Sequence, residues 1–333
     1  MKKGDIYYLI YLILLMGITF YTSSFLLTTS FTGKYVLVEP VINTTSCISF
    51  TSNGRLLYLW IPNCEVIENG TVVSIKPFKI KINSDGFRDR EFSIVKPNNT
   101  IRIIALGDSF TYGYGVEVNE SWPKLLEKTL NISLTNFSVE VLNMGVPGYN
   151  IFEQIEFFRM KGLKYDPDIV IFTFQSNDII NSSNVNEKYE ELKELLQNKK
   201  LEVPKNVSTE GFLFKLSYDL CYSETFNHSF KKAWKELIEE PIEKLVILSK
   251  KRNFKIFLVI FFYNSKEMKE LQKLIKRFNI PYLDLQEEMY SKYPTNLLQI
   301  HPLDPHPSPY ANRLIANLIK DKLFSDNLLS IEN

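Results

Sequence analysis

The chain has 333 residues, 45% of them hydrophobic and 23% charged, and its 39 Lys and Arg nearly balance 38 Asp and Glu, for a formal net charge of +1. That length supports one sizeable hydrophobic core and a smaller module. The balanced charge offers no basic field for nucleic acid and no acidic field for a basic partner.

Lys2 and Lys3 precede a stretch, residues 6–33, that holds no charged side chain. Its most apolar part, residues 6–27, would reach roughly 33 Å as a helix, enough for a hydrocarbon core of about 30 Å. Tyr7, Tyr8, Tyr11 and Tyr21 lie near its ends. Aromatic rings suit the membrane interface there, and the two lysines favour a cytoplasmic N-terminus. Residues 1–33 therefore read as a cytoplasmic tail and single-pass anchor, with the rest of the chain extracytoplasmic. A cleaved signal peptide is the competing reading, and either one exports the body.

Two further signals agree with export. Nine Asn-x-Ser/Thr sequons begin at Asn43, Asn69, Asn98, Asn119, Asn131, Asn136, Asn181, Asn206 and Asn227, and such sites read as surface positions in secreted chains. Cys47 and Cys64 either pair in an oxidising compartment, leaving Cys221 over, or all three remain buried thiols. No Cys/His cluster has metal-ligand spacing, so no structural zinc is expected.

Residues 34–100 read as a β-rich module. Short β-branched and aromatic runs at 35–38, 56–60, 72–75 and 78–82 alternate with turn signals such as Ser52-Asn53-Gly54, Glu68-Asn69-Gly70 and Ser84-Asp85-Gly86. Lys96-Pro97-Asn98-Asn99 marks the boundary with the remainder, residues 101–333.

From residue 101 strands and helices alternate. Apolar runs predict strands at 101–106, 139–144, 168–174, 255–262 and 282–285. Helices are predicted at 122–130, 152–161, 231–251, 266–277 and 309–323. Near-continuous apolar strands belong to a parallel sheet covered on both faces. The order argues for an open doubly wound α/β fold, whose sites form at the carboxyl ends of strands. Residues 179–225 are too long for a plain connection and read as an insertion, with a solvated helix at 186–200 and a candidate cap over a substrate groove.

The chemistry-bearing residues sit where those strands end. Leu106-Gly107-Asp108-Ser109 follows the first, Asn143-Met144-Gly145-Val146-Pro147-Gly148 the second and Gln175-Ser176-Asn177-Asp178 the third; Asp304-Pro305-His306 precedes the last helix. A serine hydroxyl needs a base to become a nucleophile, and histidine serves near neutral pH. A carboxylate fixes the imidazole tautomer. Of the three histidines, His228, His301 and His306, only His306 has a carboxylate two residues before it. Gly148 can offer an unobstructed backbone N–H, and Asn177 a side-chain amide, to a developing oxyanion. Each residue also has a plainer reading: an N-capping serine, turn glycines at Gly145 and Gly148, a strand-end cap at Asn177, a structural Asp178, a surface His301 and a packing Arg88.

These four blocks, in this order, resemble the SGNH or GDSL-type hydrolase family over about residues 101–323. The resemblance implies a flavodoxin-like three-layer α/β/α sandwich. It assigns Ser109 as nucleophile and first oxyanion donor, Gly148 and Asn177 as further donors, His306 as base and Asp304 as its orienting carboxylate, with no metal or organic cofactor. Residues 82–88, Ile-Asn-Ser-Asp-Gly-Phe-Arg, are similar to a segment common in exported members. Two features depart from the usual pattern: Ser176 stands where Gly often precedes the Asn, and the last block is Asp-x-His rather than Asp-x-x-His. The shorter spacing resembles exported polysaccharide O-acetylation members.

The expected function is a serine esterase acting on acyl, chiefly O-acetyl, esters of a cell-surface glycan or glycolipid. The 24 Phe and 18 Tyr either fill the core or give sugar rings a platform. An O-acyltransferase sharing the acyl-serine intermediate, and a catalytically silent glycan-binding surface protein, are the alternatives. An acylated glycan or other ester is the expected partner, the membrane is met through the N-terminal helix, and nucleic acid is not.

Overall fold

The computed structural model describes residues 47–50, 56, 58–68, 76–180, 182–198, 201, 209–302 and 304–329. The expected anchor at 6–27, the strand runs at 35–38 and 72–75, and the sequons at Asn43, Asn69, Asn181 and Asn206 lie outside them. No helix among the described residues is long and apolar enough to cross a membrane.

Five parallel strands form the central sheet: β5 (Thr100–Gly107), β6 (Ser138–Gly145), β7 (Ile169–Gln175), β8 (Lys255–Phe262) and β9 (Tyr282–Asp284). Their spatial order is β6-β5-β7-β8-β9. The chain therefore leaves β5 first to one side and then to the other, which makes the carboxyl end of β5 the topological switch point where open α/β sheets take ligands.

Side chains alternate across these strands into two apolar layers. On one face Ile103, Ala105, Val141, Ile171 and Val259 pack against Trp122, Leu126 and Leu130 of helix Trp122–Ser133 and against Ile315 and Ile319 of helix Pro309–Ser325. On the other, Ile104, Leu106, Met144, Phe172 and Ile260 pack against Ile151 and Ile155 of helix Ile151–Phe157, Leu245 of helix Glu240–Arg252 and Leu271 of helix Ser265–Phe278. The result is a three-layer α/β/α sandwich. Residue fit explains the helix ends: Asn264 caps helix Ser265–Phe278 and closes a reciprocal box with Glu267, and Asn279 ends it in the left-handed conformation.

Ahead of β5 lie two antiparallel pairs, β1 (Ile48–Phe50) with β2 (Tyr58–Trp60) and β3 (Glu65–Glu68) with β4 (Phe78–Lys81). A disulfide joins Cys47 to Cys64, with Cα atoms 5.7 Å apart, and Cys221 is free and buried. These strands share a core with the sheet: Tyr58, Trp60, Phe78 and Ile80 are buried in the same cluster as Leu106, Tyr112 and Met144. The sequon residues Asn98, Asn119, Asn131, Asn136 and Asn227 are exposed.

Three elements differ from the expected pattern. Residues 182–197 form the charged helix (Ser182–Gln197), starting earlier than predicted, and a second helix, Thr209–Glu224, follows it. The expected helix at 231–251 is the end of a longer run. Helix Thr209–Glu224 passes through a π-turn (Thr225–Ser229), Phe230–Trp234 and a second π-turn (Lys235–Glu239) into Glu240–Arg252. The π-turns shift the side-chain period and hide this continuity from a 3.6-residue pattern. Finally, β10 (Gln299–His301) and β11 (Asp304–Pro307) form a small hairpin that no apolar alternation announces.

Candidate active site

Ser109 opens the short helix Ser109–Tyr112 directly after β5. Space for that turn comes from Gly145 on the neighbouring strand, whose parallel partner is Gly107. A Cβ on Gly145 would fall 2.3 Å from the Tyr112 amide nitrogen, so any larger residue would push the Ser109 turn off the sheet. Asp108 caps the turn by accepting from the Phe110 N–H at 3.0 Å.

The imidazole beside Ser109 arrives from the far end of the chain. His306 Nε2 lies 2.8 Å from Ser109 Oγ, and His306 Nδ1 lies 2.5 Å from Asp304 Oδ1. The same carboxylate oxygen accepts the His306 backbone N–H at 3.0 Å. That local bond is possible because Asp304 and His306 both lie on β11, so the Asp-x-His spacing places carboxylate and imidazole together without the longer loop of Asp-x-x-His. Asp304 is buried and His306 and Ser109 are half-buried. The imidazole is flanked by the rings of Phe110 (5.1 Å, 42°) and Tyr114 (4.7 Å, 43°). His301 lies across the hairpin from Asp304; His228, exposed in a π-turn, lies in another element.

Asn177 reaches the same centre through Asp108. Its Nδ2 donates to Asp108 Oδ2 at 3.2 Å, beside Gln175 Nε2 at 2.6 Å. Burial pushes the Asp108 carboxyl above its ordinary range, while the bonds from Phe110, Asn177 and Gln175 and the nearby His306 pull it back. Asn177 Oδ1 is buried with no partner among the described residues. Gly148 sits in the turn after β6. The Val146 N–H donates to the Gly107 carbonyl at 2.9 Å and ties that turn to the nucleophile strand. Gly148 has φ +79° and is exposed, and a Cβ built on it would meet nothing within 4 Å.

Two further buried carboxylates support the Asn177 turn. Asp178 accepts from the Gln175 N–H at 2.6 Å; burial, then the charge of Asp108, raises its carboxyl well above the ordinary range. Glu267 accepts from Ser176 Oγ at 2.6 Å and from Tyr222 Oη at 3.2 Å. Ser176, where a glycine is usual, thus anchors the turn to helix Ser265–Phe278 and to the inserted helix. Sequence reasoning missed Tyr114, Tyr222 and Glu267, which carry no motif of their own. Arg88 also takes a defined place: its guanidinium donates to the carbonyls of Tyr112, Gly113 and Val116 behind the nucleophile turn and to that of Lys79 in β4. It contacts main chain rather than the open rim. No cluster of His, Cys, Asp and Glu among the described residues has the geometry of a metal site.

The family model of the GDSL-like lipases and acylhydrolases matches residues 103–319. The chain belongs to this family. It is accordingly a GDSL-type ester hydrolase. No curated protein sequence matches it closely. Similar solved structures include a G-D-S-L family protein from Desulfitobacterium hafniense (19% identity, 67% of this chain and 99% of that one, TM-score 0.42). Others are a psychrotrophic esterase from Pseudoalteromonas sp. (17%, 69% and 99%, 0.44) and a lipase/acylhydrolase from Enterococcus faecalis (18%, 68% and 96%, 0.40).

Proposed function

We propose that this GDSL-type hydrolase is a membrane-anchored, extracytoplasmic serine esterase that removes acyl groups, acetyl foremost, from a cell-surface glycan or glycolipid. The observation that carries the reading is the unbroken hydrogen-bonded line Ser109–His306–Asp304. In this mechanism His306 Nε2 takes the Ser109 proton as Oγ attacks the ester carbonyl, and Asp304 holds the tautomer and balances the imidazolium. The N–H groups of Ser109 and Gly148 and the Asn177 amide stabilise the oxyanion. His306 returns the proton to the departing alcohol, leaving acyl-Ser109. Water, deprotonated by the same imidazole, then releases the acid. No step requires a metal or organic cofactor.

The substrate class rests on further features. Residues 1–33 read as the anchor, 34–100 as the β-rich module and 101–333 as the catalytic domain, and the paired cysteines Cys47 and Cys64 suit an oxidising compartment. Half-buried Tyr114 beside His306 and half-buried Tyr222 beside the Asn177 turn give aromatic faces of the kind that line ligand sites. The test is acetate release from an O-acetylated oligosaccharide by wild type and Ser109→Ala. Serine-dependent release confirms the reading. Transfer of acetyl to an added glycan acceptor with little free acetate would instead make the protein an O-acyltransferase.

A further inference from the structure

We infer that Tyr58, in the β-rich module, is a positioning residue for the oxyanion hole: its hydroxyl fixes the peptide that carries the Gly148 N–H. The inference rests on the reading of Gly148 as an oxyanion donor.

The geometry is local and simple. Residues 146–149 form a tight turn closed by Tyr149 N–H to the Val146 carbonyl at 3.1 Å, with Pro147 and Gly148 in its centre and Gly148 at φ +79°. Pro at the second position and a positive φ at the third define a type II turn. Types I and II differ chiefly by a half-rotation of the central peptide, here Pro147–Gly148. That rotation would reverse the direction of the Gly148 N–H. Nothing crowds Gly148, and glycine tolerates both signs of φ, so side-chain sterics at this residue do not select one turn.

Tyr58 supplies a selection. Its hydroxyl donates to the Pro147 carbonyl at 2.8 Å. In a planar trans peptide the carbonyl and the N–H point in opposite directions, and the chain has no cis peptide among the described residues. Holding the Pro147 oxygen on the module side therefore sends the Gly148 N–H away from the module. Tyr149 closes the contact in return, its hydroxyl donating to the Tyr58 backbone carbonyl, and the two rings meet edge-on at 5.8 Å. Burial pushes the Tyr58 phenol well above its ordinary value, with Tyr149, Tyr112 and Glu153 adding to the rise, so the hydroxyl keeps its proton and donates. The strand that carries Tyr58 also stacks Trp60 on Tyr112 of the nucleophile helix at 5.4 Å and 9°. It is held in turn by the Ile61 N–H on the Cys47 carbonyl at 2.8 Å. The module is in this view a working part of the site.

The test compares Tyr58→Phe, which removes one oxygen, with Tyr149→Phe, which removes the return bond and leaves the Pro147 tether. Each variant is followed by ester kinetics, by Tm, and by the amide NMR shift of Gly148 before and after a phosphonate adduct forms on Ser109. Loss of a whole oxyanion donor costs on the order of 100- to 1000-fold, so loosening one should lower kcat roughly 10-fold in Tyr58→Phe with KM within about twofold. The Gly148 shift on adduct formation should shrink in that variant and stay near wild type in Tyr149→Phe. Wild-type kcat and an undiminished shift in folded Tyr58→Phe would overturn the inference. Equal losses in both variants would do the same, since they would mark general loosening. A Gly148 amide that does not respond to the adduct even in wild type would instead remove the donor reading on which the inference stands.

Discussion

Asp108 and Asn177 share a hydrogen bond of 3.2 Å from amide nitrogen to carboxylate oxygen. The same carboxyl group caps the helix that begins at Ser109, so one buried side chain joins the Ser109 turn to the Asn177 turn. The Asn177 side chain presents nitrogen to that side, and in the proposed mechanism its other N–H serves the oxyanion. Asn177→Ala should therefore lower kcat by roughly 100- to 1000-fold, the range for one oxyanion donor, with a small change in KM. Steady-state kinetics on an aryl ester, with Tm as the control for folding, decide it. A loss below about threefold in a folded variant would remove Asn177 from the chemistry.

Arg88 is 1% exposed and meets four main-chain carbonyls. Its guanidinium also lies over the rings of Phe78 (5.2 Å) and Tyr112 (4.9 Å). Burial lowers its pKa from the ordinary arginine value, yet arginine stays charged in proteins. Truncation would leave buried carbonyls without donors, so Arg88→Met should cost about 2–4 kcal/mol of unfolding free energy. Lysine lacks the planar five-donor fork, and Arg88→Lys should recover less than half of the loss. Urea denaturation measures both; a lysine variant as stable as wild type would show that charge alone, and not the fork, holds the 112–116 segment.

Asp178 predicts a pH dependence. A carboxyl whose folded pKa is raised binds its proton more readily in the native state. Its contribution to stability is therefore greatest below the unfolded value of about 3.9 and declines as pH rises through the raised folded pKa. Asp178 is of this type, with burial the larger cause and Asp108 the second. Asparagine cannot ionise, so the Tm of Asp178→Asn minus that of wild type should become more positive between pH 4 and pH 8. A difference that stays flat over this interval would mean that Asp178 is not held protonated by the fold.

What could be read from the sequence follows from how locally each feature is encoded. The edges of β5 to β9 fall within about two residues of where the apolar runs stop, because a strand buried on both faces admits few polar residues. Ser109, Gly148 and Asn177 were visible as polar or small residues at those ends. The β10–β11 hairpin was not, since Asp304-Pro305-His306-Pro307 has two prolines and no alternation; proline survives there because the hairpin is a two-stranded edge. Arg88 reads in sequence as a packing residue, and only the fold shows four carbonyls around it. Tyr58 lay within a predicted strand, but its bond to the Pro147 carbonyl joins residues 89 positions apart, a distance no local pattern encodes. Glu267 likewise looks like an ordinary first-turn carboxylate of an amphipathic helix until Ser176 and Tyr222 are seen to converge on it.

The direct test of the account is the rate at which a fluorophosphonate modifies the protein, with the adduct mapped by peptide mass spectrometry. Activation of Ser109 by His306 predicts a single adduct on the Ser109 peptide in wild type. His306→Ala should slow it by roughly a thousandfold or more while its Tm stays close to wild type. Modification elsewhere, or equal rates in wild type and a folded His306→Ala, would contradict the claim that this imidazole makes this hydroxyl a nucleophile.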